Sequence, residues 1–458
     1  MRRFISSLLV ACGVMAMPKL AIAQQLPSAA VPPVNIVLPN YNGVAVGEIA
    51  SLEAGAFLAR ANDSSSGWFN PAGLSRAQQT SISGSAGVFN FTTVSPEGLH
   101  KSTGSIEQIP ALVGFLIKDL AGHKGWSGGF SMSRTNAFYQ AGDAEREITS
   151  GSLSERVTYS SGSEFSGWVA SAGVGHATSD TFSYGGSIDL QFTTTDRTES
   201  LSDQFLSQTG LSDLLVQAHG WSWTTHLRFT FGAQYNVLPA LRIGAVLRTP
   251  GILVLKSGAY IQEGTSQFGG TTTTASFFEP AGQVDHKIPF EFKAGAAYVG
   301  QRGQIEADVM TYAGAGTYPG FQSSQTMRIV TDQGLGGPPT VQELAFPTQM
   351  VDSRSVVNVA VGGQLNLARE GRFRLHGGFA TDRSPVGPSD TLFTKVDMQV
   401  WTVGLSIRTK KLLGSIGLRY ESGESDLTTI RPLQIGEQYT TRFDVSSLGI
   451  VYSIALSF

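Results

Sequence analysis

Arg228, Arg242, Arg248, Arg372, Arg374, Arg408 and Arg419, with His226 and His376, recur at positions that two-residue alternation puts on one face of successive segments. Guanidinium groups on a shared face can hold a carboxylate head group through paired hydrogen bonds. Glu291, Glu306 and Asp308 fall on that face too. The arginines could therefore pair with these acids, or with Glu48, Glu53 and Asp63 nearer the N-terminus, and that assignment is favoured for any single arginine. Gly125-Trp126-Ser127-Gly128-Gly129 fits G-x-S-x-G, but a nucleophile elbow needs a helix after the serine. A strand pattern follows instead. With no clear His and carboxylate set and no metal-ligand cluster in the sequence, neither an enzyme nor a cofactor is expected.

The segments that must carry these residues follow an export signal. Arg2 and Arg3 precede the apolar stretch from Phe4 to Met17, and Ala21-Ile22-Ala23 offers a small-x-small cleavage site. Leu9-Val10-Ala11-Cys12 is a rival, lipobox-like reading, which would leave apolar residues beyond the cut. Cleavage after Ala23 removes Cys12, so disulfides and thiolate metal sites are not available to the mature chain. Losing Arg2, Arg3 and Lys19 takes the formal charge from −3 to about −6, which gives no reason to expect nucleic acid. Only 15% of residues are charged, 10% are aromatic and glycines number 54, whereas soluble domains carry about 25% charged residues. Beyond the signal no run of apolar residues is long enough for a membrane-spanning helix. Few charges with middling hydropathy suit strands that face lipid on one side and water on the other.

Alternation is clearest at the C-terminus, where Leu448, Ile450, Tyr452, Ile454, Leu456 and Phe458 oppose Gly449, Val451, Ser453, Ala455 and Ser457. It recurs through Trp401–Arg408, Leu412–Tyr420, Phe373–Phe379, Val357–Leu365, Phe290–Tyr298, Leu241–Arg248, Trp221–Phe231 and Phe182–Gln191. Weaker strands near 79–93, 106–118, 125–139, 164–178 and 303–315 bring the total to fourteen. Long connections near 94–105, 140–163, 196–217, 257–285, 316–349, 384–394 and 423–442 alternate with short ones near 119–124, 179–180, 236–239, 300–302, 368–370 and 409–410. All long loops then lie on one side of the sheet, which is the arrangement of an outer-membrane barrel. Closure also removes the open edges of so large a sheet. The fold expected is all-β: a 14-stranded antiparallel transmembrane β-barrel spanning 79–458, with residues 24–78 as an N-terminal leader and plug and 1–23 as signal peptide.

Residues 24–78 do not alternate. Gln24 to Asn42 is rich in proline and asparagine, and the glycine- and alanine-rich run from Gly43 ends in Asn70-Pro71-Ala72-Gly73-Leu74 just before the first strand. This texture and motif resemble the long-chain fatty-acid transport (FadL-type) family. Further likeness lies at Ile288-Pro289 with Gly295-Ala296-Ala297-Tyr298, at Phe379-Ala380-Thr381-Asp382-Arg383-Ser384-Pro385-Val386, and at the terminal Phe458. The resemblance covers about Gly43 to Phe458. It implies a fourteen-stranded barrel in a Gram-negative outer membrane with a hatch in its lumen, passing fatty acids or aromatic hydrocarbons. About twenty extra residues before the hatch depart from the family pattern, whose first residues reach a lumenal pocket. Locally, Asn70-Pro71 is equally a turn that delivers the chain to the first strand and a gating element.

Between Glu199 and Gln217, Leu201 and Phe205 stand four apart and Leu211, Leu214 and Leu215 follow Gly210, which reads as two short amphipathic helices. The resemblance makes them part of an external apolar groove, with loop self-packing as the alternative. Arg228, Arg242, Arg248, Arg374 and Arg419 are the candidate lumenal head-group contacts. Gly128 and Gly129, inside the third strand, mark a possible bend, and the resemblance implies sideways release of ligand there. Partners expected are the lipid bilayer with lipopolysaccharide, the barrel-assembly machinery and a hydrophobic small molecule, with a monomer as the family default. A hydrophilic porin shares the barrel but has no use for a lumen-filling segment. The ligand is left open among fatty acids, alkanes and aromatics.

Overall fold

The computed structural model describes residues 37–458 except 42, 45, 97–102, 151–152, 208–209, 335, 368–370, 391 and 431–437. The expected signal peptide and most of the proline-rich leader lie outside the described residues. The strands are β1 (Ser81–Pro96), β2 (Thr103–Ile117), β3 (Trp126–Ser150), β4 (Leu153–Ala177), β5 (Phe182–Ser207), β6 (Gly210–Leu238) and β7 (Leu241–Arg248). They continue as β8 (Ile252–Phe268), β9 (Thr271–Glu279), β10 (Gln283–Val284), β11 (Glu291–Val299), β12 (Gly303–Tyr312), β13 (Gly316–Gln322) and β14 (Thr326–Asp332). The last are β15 (Thr340–Ala345), β16 (Gln349–Ser353), β17 (Val356–Asn366), β18 (Phe373–Asp382), β19 (Asp397–Arg408), β20 (Leu412–Ile430) and β21 (Gln438–Ser457).

Fourteen of these close a barrel. β1 to β7 pair in order, β7 pairs with β11, and β11, β12, β17, β18, β19, β20 and β21 follow. β21 returns to β1 from Ser81↔Ser457 to Pro96↔Phe443. All fourteen strands expected from the alternation are present. The apolar face is the outer one: Trp401, Val403, Leu405 and Ile407 are exposed, whereas Thr402, Gly404 and Ser406 are buried. Such a belt can only face hydrocarbon, since water would leave it unsatisfied. Aromatic rings mark its rims. Trp126, Tyr184, Phe182 and Tyr235 lie at the short-turn end, through contacts that include His176, and Phe379 meets Trp401 at the other.

The long connections are not loops in the ordinary sense. A membrane-crossing strand needs about 9–11 residues, but β3 to β6 run for 25, 25, 26 and 29. The ladders simply continue past the apolar belt. The segment 196–217 is therefore hairpin, with Leu201 opposite Val216 and Leu206 opposite Leu211. This corrects the expectation of two amphipathic helices: a spacing of four is even, so it places two residues on one face of a strand as well as of a helix.

Above Leu227 the sheet forks. β7 pairs with the turn-side half of β6 and β8 with its outer half. β8, β9, β14 and β15 extend from there, and β10, β13 and β16 form a separate small sheet. Tyr260, Phe277, Val284, Phe321, Met327, Ile329 and Phe346 pack between them as the core of a lobe over the loop end. Phe277 and Phe346 stack at 4.0 Å.

Candidate functional site

The small polar residues of the inner wall bind the backbone of residues 46–78, which fold as a hatch inside the lumen. Hatch carbonyls accept from wall side chains: Glu48 O from Ser415 and Ser453 (3.2 and 3.0 Å), Leu52 O from Thr402 (2.8 Å), and Leu58 O and Ala61 O from Gln234 (3.0 Å each). Hatch N–H groups donate to wall carboxylates: Phe57 to Asp308 at 2.9 Å and Ala59 to Glu306 at 2.6 Å. A segment with little regular structure needs such partners, since its buried backbone groups would otherwise be unpaired.

Charge locks the same contact. Arg60 pairs with Glu306 on the wall (2.6 Å) and Glu53 in the hatch (2.5 Å). His376 Nδ1 lies 2.8 Å from Glu53, and its Nε2 lies 2.8 Å from Ser406. Glu48, buried beside Ser64, is pushed up to about 8, first by burial and then by Asp63.

Asn70 sits at the seam. Its side-chain oxygen accepts from Ala72 N, capping the short 3-10 turn that Pro71 opens. Its amide donates to Leu58 O in the hatch and Ala233 O in β6, both at 3.0 Å. Space is tight there: a Cβ on Gly73 would lie 2.2 Å from Ala61 O, and one on Gly232 would lie 2.1 Å from Asn70 Oδ1. Ala72 and Leu74 are fully buried. The motif therefore pins hatch to wall.

Of the five arginines singled out, Arg228 and Arg248 meet at one carboxylate. Glu291 accepts from Arg228 (2.8 Å), Arg248 (3.1 Å) and Lys293 (3.0 Å), so three cations surround one anion. Arg248 also donates to Trp68 O and lies 3.9 Å above the Trp68 ring; Trp68 belongs to the helical turn α1 (Ser66–Phe69). The other three stand elsewhere. Arg419 pairs with Glu421, Arg374 donates to Gly371 O at 3.1 Å, and Arg242 is half-buried. Lys293 was not singled out, although it stands two residues from Glu291 and so on the same face.

Three cavities follow one another down the lumen. The outermost, about 830 Å³, is lined by Trp221, Tyr260, Phe321 and Phe393. The middle one, about 800 Å³, shares Thr193, His286, Val351 and Phe393 with it and reaches Arg228, Glu291 and Lys293. The innermost, about 630 Å³, shares Tyr41, Trp68, Thr135 and Lys293 with the middle one and enters the hatch. Leader residues line this path: Tyr41 stacks on Tyr312 at 4.0 Å, Asn40 is held by Asn136 (2.7 Å), and Val37 packs beneath the loops.

The groove residues do not gather into one external groove. Leu211 and Leu215 are exposed on β6, Leu214 is buried on its opposite face, and Leu201 and Phe205 are half-buried on β5. Nor is there a bend at Gly128 and Gly129. Both pair continuously, with Ile117 and Leu116 on one side and Val174 and Gly173 on the other. Gly129 instead makes room for the hatch, since a Cβ there would lie 2.7 Å from Leu74.

The ladder fails higher up. β2 and β3 pair only from Ile117↔Gly128 to Leu112↔Ser133. Beyond that point, among the described residues, β2 pairs with β1 alone and β3 with β4 alone. Pro110 stands at the break in β2, where it offers no N–H to a neighbour, and the register to β1 shifts there. β3 carries an extra residue, Thr135, between Arg134↔Trp168 and Asn136↔Gly167. Thr135 lines both the middle and the innermost cavities.

No protein-family model matches the sequence, and no curated protein does. Solved structures match at low identity over nearly their whole length. A FadL homologue from Pseudomonas aeruginosa is 12% identical with a TM-score of 0.61, covering 92% of this chain and 99% of that one. The toluene transporter TodX of Pseudomonas putida gives 13% and 0.54 over 92% and 100%, and the toluene transporter TbuX of Ralstonia pickettii gives 14% and 0.53 over 92% and 99%. Closed fourteen-stranded wall, lumenal hatch and whole-length superposition agree: this chain has the fold of the FadL-type channels.

Proposed function

We propose that the protein is an outer-membrane channel for passive uptake of hydrophobic molecules, with long-chain fatty acids as the main cargo. The observation that carries this reading is the file of three cavities ending beside the unpaired stretch between β2 and β3. A hydrophobic molecule taken in by the lobe passes from the outer cavity to the middle one and leaves sideways into the bilayer between Pro110 and Thr135. Sideways release explains why the hatch can be pinned by so many hydrogen bonds: the cargo need not push through it.

The three cations at Glu291 favour an acid over a hydrocarbon, because the cluster carries an excess of positive charge next to the middle cavity. The second reading, aromatic hydrocarbons, draws on the aromatic walls of the outer cavity and on the likeness to two proteins described as toluene transporters. No catalysed step enters either reading. Uptake of labelled oleate, toluene and sucrose by cells lacking their own fatty-acid channel tests them together. Oleate uptake without sucrose leak supports the main reading, toluene alone supports the second, and sucrose alone rejects both.

A further inference from the structure

The outer cavity is apolar in outline but not in all its atoms. Thr193, Thr224, Tyr260 and Gln349 all line it and all are at least nine-tenths buried, and Thr193 Oγ1, Thr224 Oγ1, Tyr260 Oη and Gln349 Nε2 have no hydrogen-bond partner among the described residues. They come from four strands: β5, β6, β8 and β16. Thr193 and Thr224 are direct register partners, so two of the hydroxyls stand side by side. Leaving even one buried hydrogen-bonding group unmatched is costly, and native proteins leave few. Four such residues around one cavity would be matched by a ligand that supplies their partner.

The partner's chemistry can be read from the groups. Two threonine hydroxyls, a phenol and an amide nitrogen can all donate, so the complement is an oxygen that accepts. Charge argues against a carboxylate here. Arg197 and Glu199, also on the wall, neutralise each other at 2.5 Å, and Asp285 adds a negative charge. That contrasts with the excess of cations at the floor of the next cavity. Around the polar atoms stand Trp221, Phe321, Leu392 and Phe393.

We infer that the outer cavity is a binding site for uncharged oxygen-bearing hydrophobes, such as long-chain alcohols, ketones or phenols, held by Thr193, Thr224, Tyr260 and Gln349. This deepens the hydrophobic-channel reading and rests on it: the outer cavity adds a site for one neutral oxygen on an apolar body, ahead of the cationic floor that favours acids.

Three chain-matched probes test it: 12-bromododecan-1-ol, 1-bromododecane and 12-bromododecanoate, each followed by quenching of Trp221 in the purified full chain, with Trp221→Phe as the blank. The alcohol is expected to quench at roughly a tenfold lower concentration than the hydrocarbon, and Thr224→Val, Tyr260→Phe or Gln349→Leu each to weaken it roughly two- to tenfold, about one hydrogen bond's share. The hydrocarbon should bind these variants as it binds the parent. Because the deleted atoms have no internal partner, the ligand-free variants should resist heat at least as well as the parent. Equal binding of alcohol and hydrocarbon, alcohol affinity unchanged in all three variants, or loss of heat resistance would overturn the site while leaving the channel standing. A parent that binds none of the three probes would reject the channel reading itself.

Discussion

Replacing Asn70 with alanine removes three hydrogen bonds at the point where the hatch is pinned to the wall. Two are donated by its amide, to Leu58 O and Ala233 O, and one is accepted from Ala72 N. Leu58 O keeps Gln234 as a donor, so the group most clearly orphaned is the Ala72 N–H. Only the bond to Ala233 O crosses from hatch to wall, so at roughly 1 kcal/mol for it, and more for a buried group left unpaired, the loss is about 1–2 kcal/mol against the seated hatch. With a factor of ten for every 1.4 kcal/mol, the unseated population rises about 5- to 30-fold. The assay is conductance of the reconstituted protein in a planar bilayer. The parent should be nearly silent and Asn70→Ala should show frequent openings. Asn70→Asp should not rescue it, since a carboxylate keeps the acceptor but faces two carbonyl oxygens it cannot donate to. A folded Asn70→Ala as silent as the parent would refute the argument that these bonds hold the hatch.

Arg60→Met strands Glu53 and Glu306 in the lumen, and breaking a buried pair from one side costs about 3–5 kcal/mol; heat-modified mobility on gels should fall well below the parent's, and a midpoint unchanged would contradict the lock. The buried Glu48 carboxyl, raised from 4.5 to about 8 by burial and by Asp63, favours the seated hatch when protonated. That stabilisation is full below about pH 4.5 and lost as pH rises through about 8, so conductance should increase across this window and Glu48→Gln should flatten the rise. Arg228→Leu combined with Lys293→Met removes the excess of positive charge at Glu291, leaving Arg248 alone against it, so oleate uptake should fall roughly tenfold with toluene uptake unchanged, about the value of one charge-assisted hydrogen bond. Equal losses for both would mean the cations serve the wall and not the cargo.

The barrel was legible because lipid enforces it. Trp401 to Ile407 must present alternate apolar residues to hydrocarbon, and each of the fourteen crossings obeys the same rule. Where that constraint ends, legibility ends too. Beyond the belt the β3–β4 hairpin no longer faces lipid, so 140–163 carries no long apolar stripe and reads as a loop although its ladder continues. Leu201 and Phe205 misled for a related reason, their spacing being common to helix and strand. The Asn70 motif stands just before β1, but its meaning lies in contacts to residues far along the chain, such as Ala233. Gly128 and Gly129 suggested a bend, whereas Gly129 admits Leu74. The true irregularity did leave a trace: outward apolar residues fall at even positions at Phe130 and Met132 and at an odd one at Tyr139, a phase change that requires one extra residue in between. Tyr260 and Gln349 could not be connected from sequence, since the lobe alone brings them to one cavity.

Deleting Thr135 and replacing Pro110 with threonine would restore one-to-one pairing in β3 and a donor in β2, closing the unpaired stretch. Oleate uptake by cells carrying this variant is the most direct test of the proposed route. If cargo leaves sideways, uptake should drop to the level of cells without the protein while the barrel still assembles. Uptake equal to the parent's from a correctly assembled variant would mean that cargo travels past the hatch instead, and the lateral route would be wrong.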